Sequence, residues 1–209
     1  MSNTGLLTKV ASYYSEKLAQ HGQHPRGVDW NGEDSQILRF QQLSNVITLP
    51  SSCSVNDLGC GYGAMYDFFM SHHADVRYTG IDVSESMIQA AKQRHGDRPH
   101  ARFLCASAPD EVADYGFASG VFNVCVGQSV EAWQAYMAST LDVLHETSRC
   151  GFAFNCLTSY SDPDKMRPDL YYADPCQWFD FCKRRYSRQV ALLHDYGLYE
   201  FTIRVRTLG

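Results

Sequence analysis

The sequence predicts a doubly wound α/β fold on a mostly parallel sheet, and three observations carry that prediction. A short apolar run, Val55-Asn56-Asp57-Leu58, ends in a glycine loop, Gly59-Cys60-Gly61-Tyr62-Gly63, that feeds the helically spaced Ala64, Met65, Phe68 and Phe69. Strand, glycine loop and helix in that order make the nucleotide-binding corner of an open α/β sheet. A second apolar run, Val76 to Ile81, again stops on a carboxylate, Asp82, and again leads into a helical stretch. Apolar strands and helical segments then alternate as far as residue 157, and two β-patterned runs close the chain.

The elements follow in order. Leu6, Leu7, Val10, Tyr13, Tyr14 and Leu18 form a helical stripe over residues 4–20, with Thr4 placed to cap it. His21 to Trp30 holds Gly22, Pro25 and Gly27 and reads as a loop, dense in His21, His24 and Trp30. Asp34 or Ser35 caps a second helix whose inward face is Ile37, Phe40, Leu43 and Ile47, and Pro50 ends it. After the strand to Asp82, Ser84 caps a helix bearing Met87, Ile88 and Ala91, closed by Gly96. Residues 101–105 form a third strand and Tyr115 to Phe122 a fourth, with Asp110, Glu111 and Asp114 as surface acids around a short helix.

From Ser129, Val130, Trp133, Met137, Leu141 and Leu144 keep a helical period, and Gly151 to Leu157 is a buried fifth strand. Asn155 within it is either a satisfied core amide or a cleft residue. Residues 158–176 break the periodicity with tyrosines, prolines and aspartates, as in an ordered loop over an active-site face. Gln177 to Arg185 form a last helix, and Val190–Leu193 with Tyr199–Val205 a terminal hairpin.

The bulk numbers narrow the class. At 209 residues, 44% hydrophobic and 20% charged, the chain has the balance of one globular domain, residues 1–209. A formal charge of −5 argues against a nucleic-acid partner, and Lys183, Arg184, Arg185 and Arg188 read as a solvated helix end. No apolar run is long enough to span a membrane and no signal pattern opens the chain, so a cytoplasmic location is expected. Eight cysteines without a C-x-x-C pair fit buried reduced thiols, with no metal site.

The chemistry turns on the glycine spacing. Dinucleotide loops read G-x-G-x-x-G, whereas this loop reads G-x-G-x-G with Asp57 just upstream. A carboxylate facing that crevice repels a pyrophosphate and welcomes an ammonium or sulfonium. The run from Asp57 to Gly63 closely resembles the first motif of class I S-adenosylmethionine-dependent methyltransferases, and Asp82-Val83-Ser84 with Met87 resembles the second. The resemblance covers residues 53–157. It implies a Rossmann-like, seven-stranded sheet with a terminal antiparallel hairpin. It also implies an N-terminal helical lid (1–50), a cofactor core (51–157), a substrate-cap loop (158–176) and a C-terminal helix and hairpin (177–209).

By the same resemblance the cofactor is S-adenosylmethionine, with S-adenosylhomocysteine as product. Asp57, Gly59, Cys60, Gly61 and Gly63 form its loop, Asp82 accepts the ribose hydroxyls, and Val83 and Met87 pack near the adenine. Many members carry an acid after the third strand; here Ser107 stands in that region. Gly120 lies near the transferred methyl. In the lid, Tyr14 faces the crevice and Arg39 pairs with the methionine carboxylate in a two-pronged geometry. The run Ser119-Gly120-Val121-Phe122-Asn123 departs from the Asn/Asp-Pro-Pro-aromatic pattern, which disfavours methylation of planar nitrogens by that route. Trp30, Asn155, Tyr160, Tyr171 and Tyr172 are the substrate candidates.

No catalytic residue is assigned: His21, His24, His194 and the lid tyrosines are base candidates, each commonly a packing or surface residue. The expected activity is in-line methyl transfer to O, N, S or C of a small-molecule acceptor. The alternatives are an RNA or protein methyltransferase, a non-catalytic S-adenosylmethionine-binding or partner-holding protein, and a Rossmann oxidoreductase, which Asp57 opposes.

Overall fold

The computed structural model describes residues 3–28, 32–48, 52–72 and 75–207. Seven strands form one sheet: β1 (Cys53–Leu58), β2 (Val76–Asp82), β3 (Ala101–Cys105), β4 (Ala113–Ala118), β5 (Ser148–Leu157), β6 (Gln189–Leu193) and β7 (Glu200–Arg206). Their spatial order is β3-β2-β1-β4-β5-β7-β6. The first five run parallel, and β7 lies antiparallel to both β5 and β6. The chain winds outward from β1 to β3, then returns to place β4 on the other flank of β1. That reversal opens a crevice beyond the carboxyl ends of β1 and β4, where open α/β sheets bind ligands.

Among the described residues six α-helices accompany the sheet: α1 (Asn3–His21), α2 (Glu33–Ser44), α3 (Ala64–His72), α4 (Glu85–His95), α5 (Val130–Glu146) and α6 (Pro175–Arg185). They divide between two cores, as a doubly wound sheet requires. Phe40 and Leu43 of α2 and Met65, Phe68 and Phe69 of α3 pack with Val55, Tyr78 and Phe103. Trp133, Met137, Leu141 and Leu144 of α5 and Trp178 and Cys182 of α6 pack with Phe152, Phe154 and Ile203. With helices on both faces, the central strands are buried almost throughout, which is why they read as continuous apolar runs.

Several local expectations hold and several move. Ser84 Oγ accepts from Met87 N at 3.2 Å, Gly96 closes α4 with φ +60°, and Ser129 caps α5. Thr4, by contrast, falls inside α1, which begins at Asn3. Gly32 stands at the cap position of α2, leaving Asp34 and Ser35 within the first turn. The fourth strand stops at Ala118 because Gly120 takes φ +74° and turns the chain before Val121 and Phe122. No helix lies between β3 and β4; Asp110 pairs with Arg102, and Asp114 sits inside β4, accepting from Ser54 N and Oγ. Of the basic cluster, Arg184 pairs with Asp180 and Arg185 with Asp142, while Lys183 Nζ donates to the Arg188 carbonyl. Among the described residues no helix is long and apolar enough to cross a membrane.

Candidate active site

The crevice is built from the ends of β1 and β2. The N–H groups of Gly59 and Cys60 both donate to the Ile81 carbonyl, at 2.7 and 3.0 Å, and fold the loop over the tip of β2. Gly59 has φ +78°, and a Cβ there would approach Val121 Cγ2 to 2.5 Å, so glycine alone meets both demands. Asp82 then joins loop to helix. Its Oδ2 accepts from Gly61 N at 3.0 Å and its Oδ1 from Ser84 N at 2.8 Å. Burial raises the Asp82 pKa, and the N–H groups of Ser84, Gly61 and Val83 pull it back.

Asp57 is fully buried at the tip of β1. One oxygen, Oδ2, accepts from Tyr78 OH at 2.5 Å; the other, Oδ1, has no hydrogen-bond partner among the described residues. A buried carboxylate without a cation resists ionisation. Desolvation pushes its pKa up to about 7; the Tyr78 bond works against that rise, and the nearby Asp82 charge adds to it. Ser119 Oγ, at the tip of β4, is likewise buried without a partner.

These groups line a cavity of about 360 Å³. Asp57, Gly59, Cys60, Gly61, Asp82, Val83, Met87, Ser107, Gly120 and Tyr14 all contribute to its wall. Sequence reasoning missed the opposite wall: Tyr136, Ser139, Thr140 and Val143 from α5, and Gln36 and Phe40 from α2. Tyr136, Thr140 and Val143 recur at helical spacing, one stripe around from Trp133, Met137 and Leu141. That second stripe was the available signal. A neighbouring cavity of about 430 Å³ shares Tyr14, Val28 and Gly120 with the first. Its lining includes Arg39, Asn123, Lys165, Arg167, Tyr172 and Glu200.

Comparison with known proteins fixes the class. Residues 55–150 match the family model described as a methyltransferase domain. A Mycobacterium tuberculosis protein named as a candidate methyltransferase, Rv1506c, is 56% identical over 161 residues, which cover 77% of this chain and 97% of that one. The chain belongs to the methyltransferase family. Two solved structures share the fold of this methyltransferase. The DhpI–SAM–HEP complex has a TM-score of 0.68 at 14% identity, covering 98% of this chain and 99% of that one. Magnesium protoporphyrin IX methyltransferase from Synechocystis PCC 6803 with bound SAH has a TM-score of 0.65 at 12% identity, covering 98% and 99%.

The other expected site residues of the methyltransferase sit elsewhere. Gly63 lies under the loop, its carbonyl 3.0 Å from His95 Nε2, and does not line the cavity. Arg39 is buried and forms a two-pronged pair with Glu200, Nε to Oε2 at 2.8 Å and Nη2 to Oε1 at 2.6 Å. The guanidinium fork aimed by resemblance at a methionine carboxylate is thus turned onto an internal one. Asn155 is a core amide: its Oδ1 accepts from Gly120 N at 2.8 Å and its Nδ2 donates to Glu200 Oε2 at 2.7 Å.

The tyrosines of the 158–176 loop divide. Tyr172 lines the second cavity, and its hydroxyl accepts from Arg167 N at 2.8 Å. Tyr171 is buried in the core, its hydroxyl accepting from Gln134 Nε2. Tyr160 is 69% exposed beside the His194 ring. Neither His21, His24 nor His194 lines either cavity. Trp30 lies outside the described residues.

Proposed function

We propose that this methyltransferase holds S-adenosylmethionine in the 360 Å³ cavity and transfers its methyl group to a small-molecule acceptor in the adjoining 430 Å³ cavity. The observation that carries the reading is Asp57. It lines a cavity whose described residues include no cation, and its buried Oδ1 lacks a partner among them, which fits a ligand ammonium. Asp82 at the next strand tip fits a ribose diol, and Val83, Met87 and the α5 stripe form an apolar slot for a flat ring. The DhpI and protoporphyrin methyltransferase structures, similar in fold, contain SAM or SAH, which supports the same ligand here.

When bound, a sulfonium donor supplies a methyl group that is already activated. The protein's part is positioning and water exclusion. Asp57 and Asp82 fix the two ends of the donor, the glycine loop lets the main chain approach it, and Tyr14, Val28 and Gly120 form the wall common to donor and acceptor cavities.

Thermal unfolding with S-adenosylhomocysteine, S-adenosylmethionine and NADH tests the donor site. Stabilisation by the adenosyl ligands alone is expected, since a ligand at 100 times its Kd adds about 2.7 kcal/mol. Stabilisation by NADH alone would overturn the reading.

The Asp57 carboxyl also predicts a pH dependence. In the free protein it titrates near 7, whereas an ammonium beside it favours the ionised form. Ligand affinity therefore falls as pH drops through 7, by up to roughly tenfold per unit, and binding near pH 6 releases up to about one proton. Calorimetric titration with S-adenosylhomocysteine at pH 6, 7 and 8 should show this, and Asp57→Asn should flatten it. Equal affinity at all three values in the unaltered protein would count against a role for Asp57 at the ammonium.

A further inference from the structure

The second cavity carries information about the acceptor that builds on the two-cavity reading above. The whole chain is acidic, at −5, yet the lining of this cavity holds three cations, Arg39, Lys165 and Arg167, against one carboxylate, Glu200. Arg39 pairs with Glu200, and Lys165 and Arg167 are the other two cations of the lining. Both come from the tyrosine- and proline-rich loop. Their ion pairs, Lys165 with Asp164 at 2.9 Å and Arg167 with Asp169 at 2.5 Å, are exposed, and neither aspartate lines the cavity. Exposed pairs of this kind contribute about 0–1 kcal/mol and exchange readily for another anion. Asn123, 8% exposed, also lines the cavity, and its Oδ1 accepts from Leu157 N.

Among the described residues the same lining contains no histidine and no aspartate, and both oxygens of Glu200 are engaged by Arg39 and Asn155. Of the tyrosines in the lining, Tyr199 donates to Asp162, a bond that raises its pKa, and the Tyr172 hydroxyl accepts from Arg167 N. An acceptor whose nucleophile is already ionised needs no base from such a lining.

We infer that the acceptor is a small organic acid methylated on an ionised oxygen, a carboxylate or phosphonate, to give a methyl ester. The acceptor oxygen attacks the methyl carbon of the sulfonium donor as the carbon–sulfur bond breaks, and that electron pair stays on sulfur. One negative and one positive charge cancel, and no proton leaves. Lys165, Arg167 and Asn123 bind and orient the acid, whose own ionisation spares it a base.

The test uses the full chain with methyl-labelled S-adenosylmethionine and four acceptor sets: small carboxylates, phosphonates, phenols and amines. Label transfer to an oxyanion set without proton release in a weakly buffered indicator assay is the expected result. Mild alkali then separates the two sources, freeing the label as methanol from a carboxyl ester and leaving a phosphonate ester intact. Transfer confined to phenols or amines, with one proton released per turnover, overturns the inference. So does failure to methylate any oxyanion while S-adenosylhomocysteine still binds by calorimetry. Loss of that binding would instead bring down the donor-site reading, and this inference with it. The variant K165E/R167E should raise the acceptor KM roughly tenfold or more with S-adenosylhomocysteine affinity unchanged; an unchanged KM overturns the role of the two cations.

Discussion

Asp82→Ala is expected to weaken S-adenosylhomocysteine binding by roughly 100- to 1,000-fold while leaving the protein folded. The carboxylate has two tasks in one place. It accepts from Gly61 N at 3.0 Å and Ser84 N at 2.8 Å, which pins the glycine loop to the first turn of α4. It also lines the donor cavity at the strand tip suited to a ribose diol. Hydrogen bonds to a charged group are worth about 1.5–3 kcal/mol each, so losing two ligand bonds costs about 3–4 kcal/mol or more. Each 1.4 kcal/mol is about tenfold in Kd, which gives the stated range.

Stability should change little, because removing a carboxylate whose burial already raises its pKa relieves desolvation as it removes bonds. Asp82→Asn keeps one acceptor oxygen and should fall between the two. Calorimetric titration of both variants measures the effect directly. An alanine variant that binds within threefold of the unaltered protein would place the ribose elsewhere.

The parts of this site that the sequence revealed are those whose signals are local. Asp57 and Asp82 each end an apolar run, and the glycines between them sit at a spacing that few other folds require. Strand, acid, glycine loop and helix start all fall between Cys53 and Ala64. Arg39 shows the opposite case. On its own helix it is a lone arginine between Leu38 and Phe40, and its partner Glu200 lies 161 residues away on β7. No periodicity encodes a contact at that range; only the folded topology, which sets α2 against β7, produces it.

Tyr171 and Tyr172 were indistinguishable by composition, yet adjacent residues of an extended segment point to opposite sides, so one entered the core and the other the second cavity. The end of β4 failed for a backbone reason. Val121 and Phe122 continue the apolar run, but Gly120 at φ +74° has already left the strand. The α5 wall failed because its better-known stripe, Trp133 to Leu144, faces the core and masked the neighbouring one.

The buried network around Glu200 carries the second large effect. Arg39 is 5% exposed and Glu200 2%, and the chain of bonds runs from Arg39 on α2 through Glu200 and Asn155 to the Gly120 N–H. Glu200→Ala leaves a buried guanidinium without its anion and a core amide without its acceptor. Breaking such a pair costs about 3–5 kcal/mol. For a chain of this size each kcal/mol is worth about 2–4 °C, so Tm should fall by roughly 6–20 °C in a thermal melt. The double variant Arg39→Met/Glu200→Leu removes both charges together and should recover much of that loss, because the pair's desolvation cost disappears with its attraction. Recovery would show that the network's value lies in placement: it holds Gly120, one of the residues common to both cavities, against β5 and ties the helix above them to the sheet below. In that case the recovered protein should bind S-adenosylhomocysteine, since the proposed anchors Asp57 and Asp82 lie outside the network, yet turn over more slowly. A Glu200→Ala protein that melts within 2 °C of the parent would mean that the guanidinium finds solvent or another anion, and that the network does not hold the site together.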